Sequence, residues 1–104
     1  MQFDVYVNPS KRSKNAYPFL VDIQSKLIAE IDTRIVIPLG KLASFSNVAL
    51  PRLTPIVEYE GEKLLLLTPQ ISSVPNKVLK NPVGSLANLR ATIIASLDFA
   101  VSGI

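Results

Sequence analysis

The sequence predicts a small β-rich α+β domain: an antiparallel sheet or partial barrel followed by one C-terminal helix. Three observations carry that prediction. All eight prolines lie between Pro9 and Pro82; proline cannot donate to a ladder and disrupts helix interiors, so the first four-fifths of the chain reads as short strands and turns. The apolar segments in that stretch either alternate or are β-branched, and they lie too close together for βαβ crossovers. After Pro82 the period changes, and Leu86, Leu89, Ile93, Leu97 and Ala100 or Val101 recur at helical spacing.

Taken in order, QFDVYV (2–7) alternates, with Phe3, Val5 and Val7 on one face and Gln2, Asp4 and Tyr6 on the other. NPSKRSKN supplies turn formers and charge, and AYPFLVDIQS (16–25) returns as a second strand. The stretch Leu27 to Ile31 fits a helical turn or an extended edge. TRIVIPL (33–39) is β-branched and nearly all apolar, as suits a central strand covered on both faces. LTPIVEYE and EKLLLLTP flank Glu60-Gly61-Glu62, a hairpin signal because glycine accepts positive φ. A short strand is expected in SVPNKVL (73–79). Ser85 is placed to cap a helix from Leu86 to Val101, about 24 Å long at 1.5 Å per residue, with Gly103 as its stop.

The 104 residues suit one domain with a single core. At 48% hydrophobic and 18% charged, the chain is too apolar for disorder and has apolar surface to spare for self-association. It lacks cysteine, and therefore a disulfide framework and thiolate chemistry, which fits a reducing cytoplasm. MQFDVYV has neither the basic end nor the apolar stretch of a secretory signal, and the longest apolar run, Leu64 to Leu67, is far too short for a membrane helix. A soluble cytoplasmic protein without membrane contact is expected.

Chemistry is thinly represented. Without histidine or cysteine, imidazole and thiolate metal sites are excluded, and acid–base work would fall to Asp, Glu, Lys, Tyr or Arg. Glycines at 40, 61, 84 and 103 are too dispersed for a phosphate-cradling loop, and no nucleophile elbow, EF-hand or paired-carboxylate motif is present. No cofactor is expected. Arg34 with Thr33 or Asp32 is the residual trio for cutting RNA, a combination that more often makes strand edges and turn caps. The net charge of +3 is concentrated partly at Lys11, Arg12 and Lys14, with a smaller group at Lys77 and Lys80. Such a cluster is either a solvated loop or a site for an anionic or acidic partner.

MQFDVY at the start, FLVDIQS at 19–25, RIVIPL at 34–39, SSVP at 72–75 and a Gly-Ile ending occur in the order and overall length of the CcdB toxin family, which the whole chain therefore resembles. The resemblance implies an SH3-like antiparallel sheet or partial barrel with a small accessory sheet and one C-terminal helix, paired as a homodimer. It implies a toxin of a toxin–antitoxin module that binds the A subunit of DNA gyrase and traps the enzyme on cleaved DNA, with no reaction of its own. A CcdA-like antitoxin would neutralise it, and DNA would be met only indirectly through the antitoxin complex. Autoregulated transcription and plasmid maintenance go with such modules.

Mapped onto this chain, the family's gyrase contact falls on Ser102, Gly103 and Ile104, supported by Asp98 and Val101 on the helix. A C₂ dimer would set two copies side by side against a two-fold partner. The plain structural alternative is that Gly103 only ends the helix and Ile104 only packs. The pattern departs in two respects: the family motif ends Trp-Gly-Ile, where the ring can stack on a gyrase arginine for about 0.5–2 kcal/mol, whereas this chain has Ser102. Asp98 stands where an amide is expected, offering a charge for that arginine instead. Gln2, Phe3, Tyr6, Gln24 and Ser25 are expected to support the site, with a core role the stronger reading for Phe3. Lys11, Arg12 and Lys14 are candidates to meet an acidic antitoxin. Two alternatives stand beside this reading: an endoribonuclease resembling the MazF family on the same fold, and an inactive homologue that still binds antitoxin.

Overall fold

The computed structural model describes residues 1–25, 27, 31–45, 47 and 49–103. Among the described residues seven strands, β1 (Asp4–Val7), β2 (Phe19–Asp22), β3 (Thr33–Lys41), β4 (Ile56–Tyr59), β5 (Glu62–Leu66), β6 (Ser72–Pro75) and β7 (Gly84–Ser85), form one antiparallel sheet. A short helix α1 (Leu42–Phe45) follows β3, and α2 (Arg90–Ser102) ends the fold. The sheet order is β4-β5-β3-β2-β1-β7, with β6 as an extra strand on β3, and the sheet curls into a half-barrel. This is the expected β-rich α+β class. Residues 28–30, where a helical turn or edge was expected, and Ile104 lie outside the described residues.

The long strand β3 organises the sheet. β2 pairs along one side of it, and the other side is shared: β6 takes Thr33 to Val36 and β5 takes Leu39 to Lys41. Pro38 sits in the interval between those partners. Its missing N–H therefore breaks no ladder, while its carbonyl accepts the Leu67 N–H at 3.0 Å, which reconciles a proline with a central strand. The β4–β5 hairpin closes through Glu60 (φ 52°) and Gly61 (φ 78°), both left-handed as a two-residue primed turn demands.

One face of the sheet carries Val5, Val21, Ile37, Leu39, Val57, Tyr59, Leu64 and Leu66, all buried, and α2 covers it through Ile93. Leu86 seals the approach to the helix, and half-buried Leu89, Ile94 and Leu97 pack around it. The residues alternating with these are also largely buried, Leu20, Val36 and Leu65 among them, and they include a polar cluster. Asp22 is fully buried and accepts two hydrogen bonds from Arg34, from Nε at 3.0 Å and from an Nη at 2.5 Å, while its other oxygen accepts the Gln24 N–H at 2.9 Å. Gln24 in turn accepts the Ile35 N–H at 3.0 Å.

Three expectations are corrected. In β1, Val7 is exposed and Tyr6 buried, the reverse of the alternation argument. β7 pairs only with Asp4 and Val5, so nothing on the outer side reaches Val7, whereas Tyr6 lies over the Asp22–Arg34 layer. Phe3 is outside the strand, in a left-handed conformation (φ 70°) that lets its N–H reach the Asp22 carbonyl and its carbonyl accept the Leu86 N–H. Ser85 accepts the Ala87 N–H at 3.1 Å but is not a helix cap: a single 3₁₀ turn over Ala87–Leu89 follows Leu86 without a side-chain cap, and α2 begins at Arg90 rather than Leu86.

Candidate functional site

Helix α2 leaves the sheet before it ends. Ile93 and Ser96 are its buried residues, and Ser96 is secured from two directions. Its hydroxyl donates to the Ile93 carbonyl at 2.9 Å, so the Thr68 hydroxyl, 3.0 Å away, must donate to it. Beyond that point Asp98, Ala100, Val101, Ser102 and Gly103 are all exposed, Val101 at 86%. Ala100 and Val101, placed by the helical period on the buried stripe, therefore face water.

The last turn is closed by its own groups. Gly103 takes the left-handed conformation (φ 74°) and donates its N–H to the Phe99 carbonyl at 2.9 Å, and the Ser102 hydroxyl donates to the Asp98 carbonyl at 2.6 Å. No basic residue lies in this turn. The Asp98 carboxylate thus adds to the negative end of the helix dipole, opposite to the arrangement that stabilises a helix. An exposed anionic turn with an apolar Val101 beside it is suited to a partner that presents a cation.

Sequence reasoning missed the residue that reaches this turn from elsewhere in the fold. The Arg52 guanidinium stands 4.2 Å over the centroid of the Phe99 ring. Between the 49–55 loop and α2 runs a cleft of about 390 Å³ lined by Pro51, Arg52, Pro55, Thr92, Ala95, Ser96 and Asp98. Arg52 and Asp98, of opposite charge, border the same opening. Nothing local in the sequence signals the pairing, because its partners are nearly half the chain apart.

The expected supporting residues gather elsewhere. Gln2 donates to the Ile23 carbonyl at 3.2 Å and meets Arg90 at 3.5 Å, and Arg90 lies over the Phe3 ring at 5.6 Å. Gln2 and Phe3 thus hold the first turn of α2, roughly 18 Å from Ser102 along the helix. Phe3 is 4% exposed and belongs to the core. Tyr6 and Gln24 belong to the buried polar layer, and Ser25 accepts the Leu27 N–H in a local turn. Burial pushes the Tyr6 phenol above its ordinary range, aided by Asp4 and Asp22 and opposed by Arg34. Arg34, named above for RNA cleavage, is itself buried against Asp22.

Lys11, Arg12 and Lys14 are exposed on a loop built by Asn8. The buried Asn8 amide donates to Ser13 Oγ at 3.0 Å and the Tyr17 carbonyl at 2.8 Å, while its oxygen accepts the Ser10 N–H at 3.0 Å. None of the three cations has a salt-bridge partner among the described residues. The loop continues into Tyr17, whose ring meets Phe45 of α1 at 5.1 Å. Among the described residues no helix is long and apolar enough to cross a membrane. A family model described as CcdB protein matches residues 2–103.

Proposed function

The chain belongs to the CcdB family, the toxins of toxin–antitoxin modules directed at DNA gyrase, and on that premise we propose that it binds the gyrase A subunit through the exposed last turn of α2 and traps gyrase on cleaved DNA. The observation that carries this reading is the exposure of that turn: Asp98, Val101, Ser102 and Gly103 project from a helix whose earlier residues are locked into the core. Ile104 extends the same contact. Two protomers related by a two-fold axis present two copies of the turn, which suits a two-fold partner.

In this chain the contact is polar. Asp98 supplies a carboxylate for a gyrase cation, and Ser102, already bonded to the Asp98 carbonyl, contributes shape and little else. The poison is the stalled complex, so the toxin needs no catalytic group. An acidic antitoxin segment that orders on binding neutralises it, with Lys11, Arg12 and Lys14 as its basic landing loop. The ribonuclease alternative loses its best trio, since Arg34 is committed to Asp22.

Calorimetric titration of the folded protein into purified gyrase A subunit tests the reading. Saturable binding with two toxin protomers per site is expected, and single-stranded RNA incubated with the protein stays intact. RNA cleavage, or absence of binding to gyrase from its own host, would overturn it.

A further inference from the structure

The last turn of α2 has to be held in place by something other than the core, because Ser96 is the last fully buried residue before the end of the helix. Half-buried Phe99 is the hub of that turn. Its carbonyl accepts the capping N–H of Gly103 at 2.9 Å, and its ring lies 4.2 Å from the guanidinium of Arg52. Anything that steadies the Phe99 ring therefore steadies the cap, and with it the direction in which Asp98, Ser102 and Gly103 point.

Arg52 is itself delivered by a rigid support. Leu50 accepts the N–H groups of Leu53 (3.0 Å) and Thr54 (2.7 Å), and the buried Thr54 hydroxyl accepts the Leu50 N–H at 2.7 Å while donating to the Leu50 carbonyl at 3.2 Å. Pro51 and Pro55 bracket the turn and restrict it further. A stiff loop thus carries a planar cation across the mouth of the 390 Å³ cleft to an aromatic face on the helix end.

We infer that Arg52 is a positioning residue for gyrase recognition: by stacking on Phe99 it fixes the last turn of α2 in its binding orientation. This rests on the reading that the turn is the gyrase contact. The effect is expressed through Phe99, so the two side chains act as one unit, and removing either removes the whole benefit.

A double-mutant cycle of Arg52→Ala and Phe99→Leu tests this, read by the solvent-exchange rate of the Gly103 amide in NMR and by dissociation from purified gyrase A subunit. A cation–π contact at a surface site corresponds to about a two- to fivefold effect. Each single variant is expected to speed Gly103 exchange and gyrase dissociation by about that factor, the double variant no more than the larger single, and Arg52→Lys is expected to recover part of the loss. Unchanged Gly103 exchange, or effects of the two substitutions that simply multiply, would overturn the inference. If the parent protein does not bind gyrase, the functional reading falls, and the positioning role is decided by the amide exchange cycle alone.

Discussion

The two ends of helix α2 are held by different means. The first turns are over-determined: Arg90 lies over Phe3 and reaches Gln2, Leu86 and Ile93 are buried in the core, and Ser96 is bonded to Thr68. Behind Phe3 stands the Asp22–Arg34 layer, which also holds the α-amino group of Met1 at 3.5 Å. Among the described residues, the last turn is held by its own cap and by one arginine from a loop. The difference teaches that one helix can be anchored at its start and left exposed at its end, so that, if the last turn is the proposed contact, stability and recognition can be damaged separately.

The largest expected effect lies in the anchored region. Asp22→Ala leaves the Arg34 guanidinium buried without its carboxylate and should cost about 3–5 kcal/mol, measured by urea unfolding. A loss under about 1 kcal/mol would mean that water reaches the pair in solution. Ile93→Ala removes the residue by which α2 enters the core and should cost about 2–5 kcal/mol. Whatever fraction of this variant remains folded should bind gyrase A with unaltered affinity, and a fall in that affinity would show that the two ends are coupled.

Ser102→Trp addresses the other end. The site is exposed, so stability should change by no more than about 0.5 kcal/mol, while an added aromatic face for a gyrase arginine should tighten binding by roughly two- to thirtyfold. Unchanged affinity would place residue 102 outside the contact. The smallest effect is expected at Tyr59, whose buried hydroxyl has no hydrogen-bond partner among the described residues. Tyr59→Phe removes a polar atom that gains nothing from burial, and stability should stay within about 0.5 kcal/mol or rise.

The same variant carries a pH signature. Burial, and then the nearby charge of Glu60, pushes the Tyr59 phenol above its ordinary range. Folding therefore favours the protonated phenol, so its contribution is fully present below the unfolded-state value and is lost as pH rises through the higher folded-state value. Above roughly pH 10 the parent protein should lose stability more steeply than Tyr59→Phe.

Local rules located most of the fold. The run TRIVIPL, the Glu60-Gly61 turn and the late helical period each report a short-range constraint, and each became the expected element. The errors came where tertiary partners decide. Val7 and Tyr6 exchanged burial because β7 covers only the start of β1 and because both faces of the sheet are occupied. The helical stripe overran its buried length because periodicity reports which residues are apolar, not how far the sheet beneath them extends. The exposure of Val101, an apolar residue on that stripe, is visible only in the structure. Asp22–Arg34 and Arg52–Phe99 were illegible because no spacing rule links residues so far apart. Gln2 and Phe3 meet Arg90 at the start of α2, a placement that no local spacing rule reports.

The most direct test of the central claim is a plasmid cleavage assay with purified gyrase and ATP, comparing the protein with a variant lacking Gly103 and Ile104 and matched to it in melting temperature. Linear DNA that depends on the parent protein and disappears with the variant is the predicted result. Equal cleavage by both would contradict the claim, because a folded protein without those residues would then still poison gyrase.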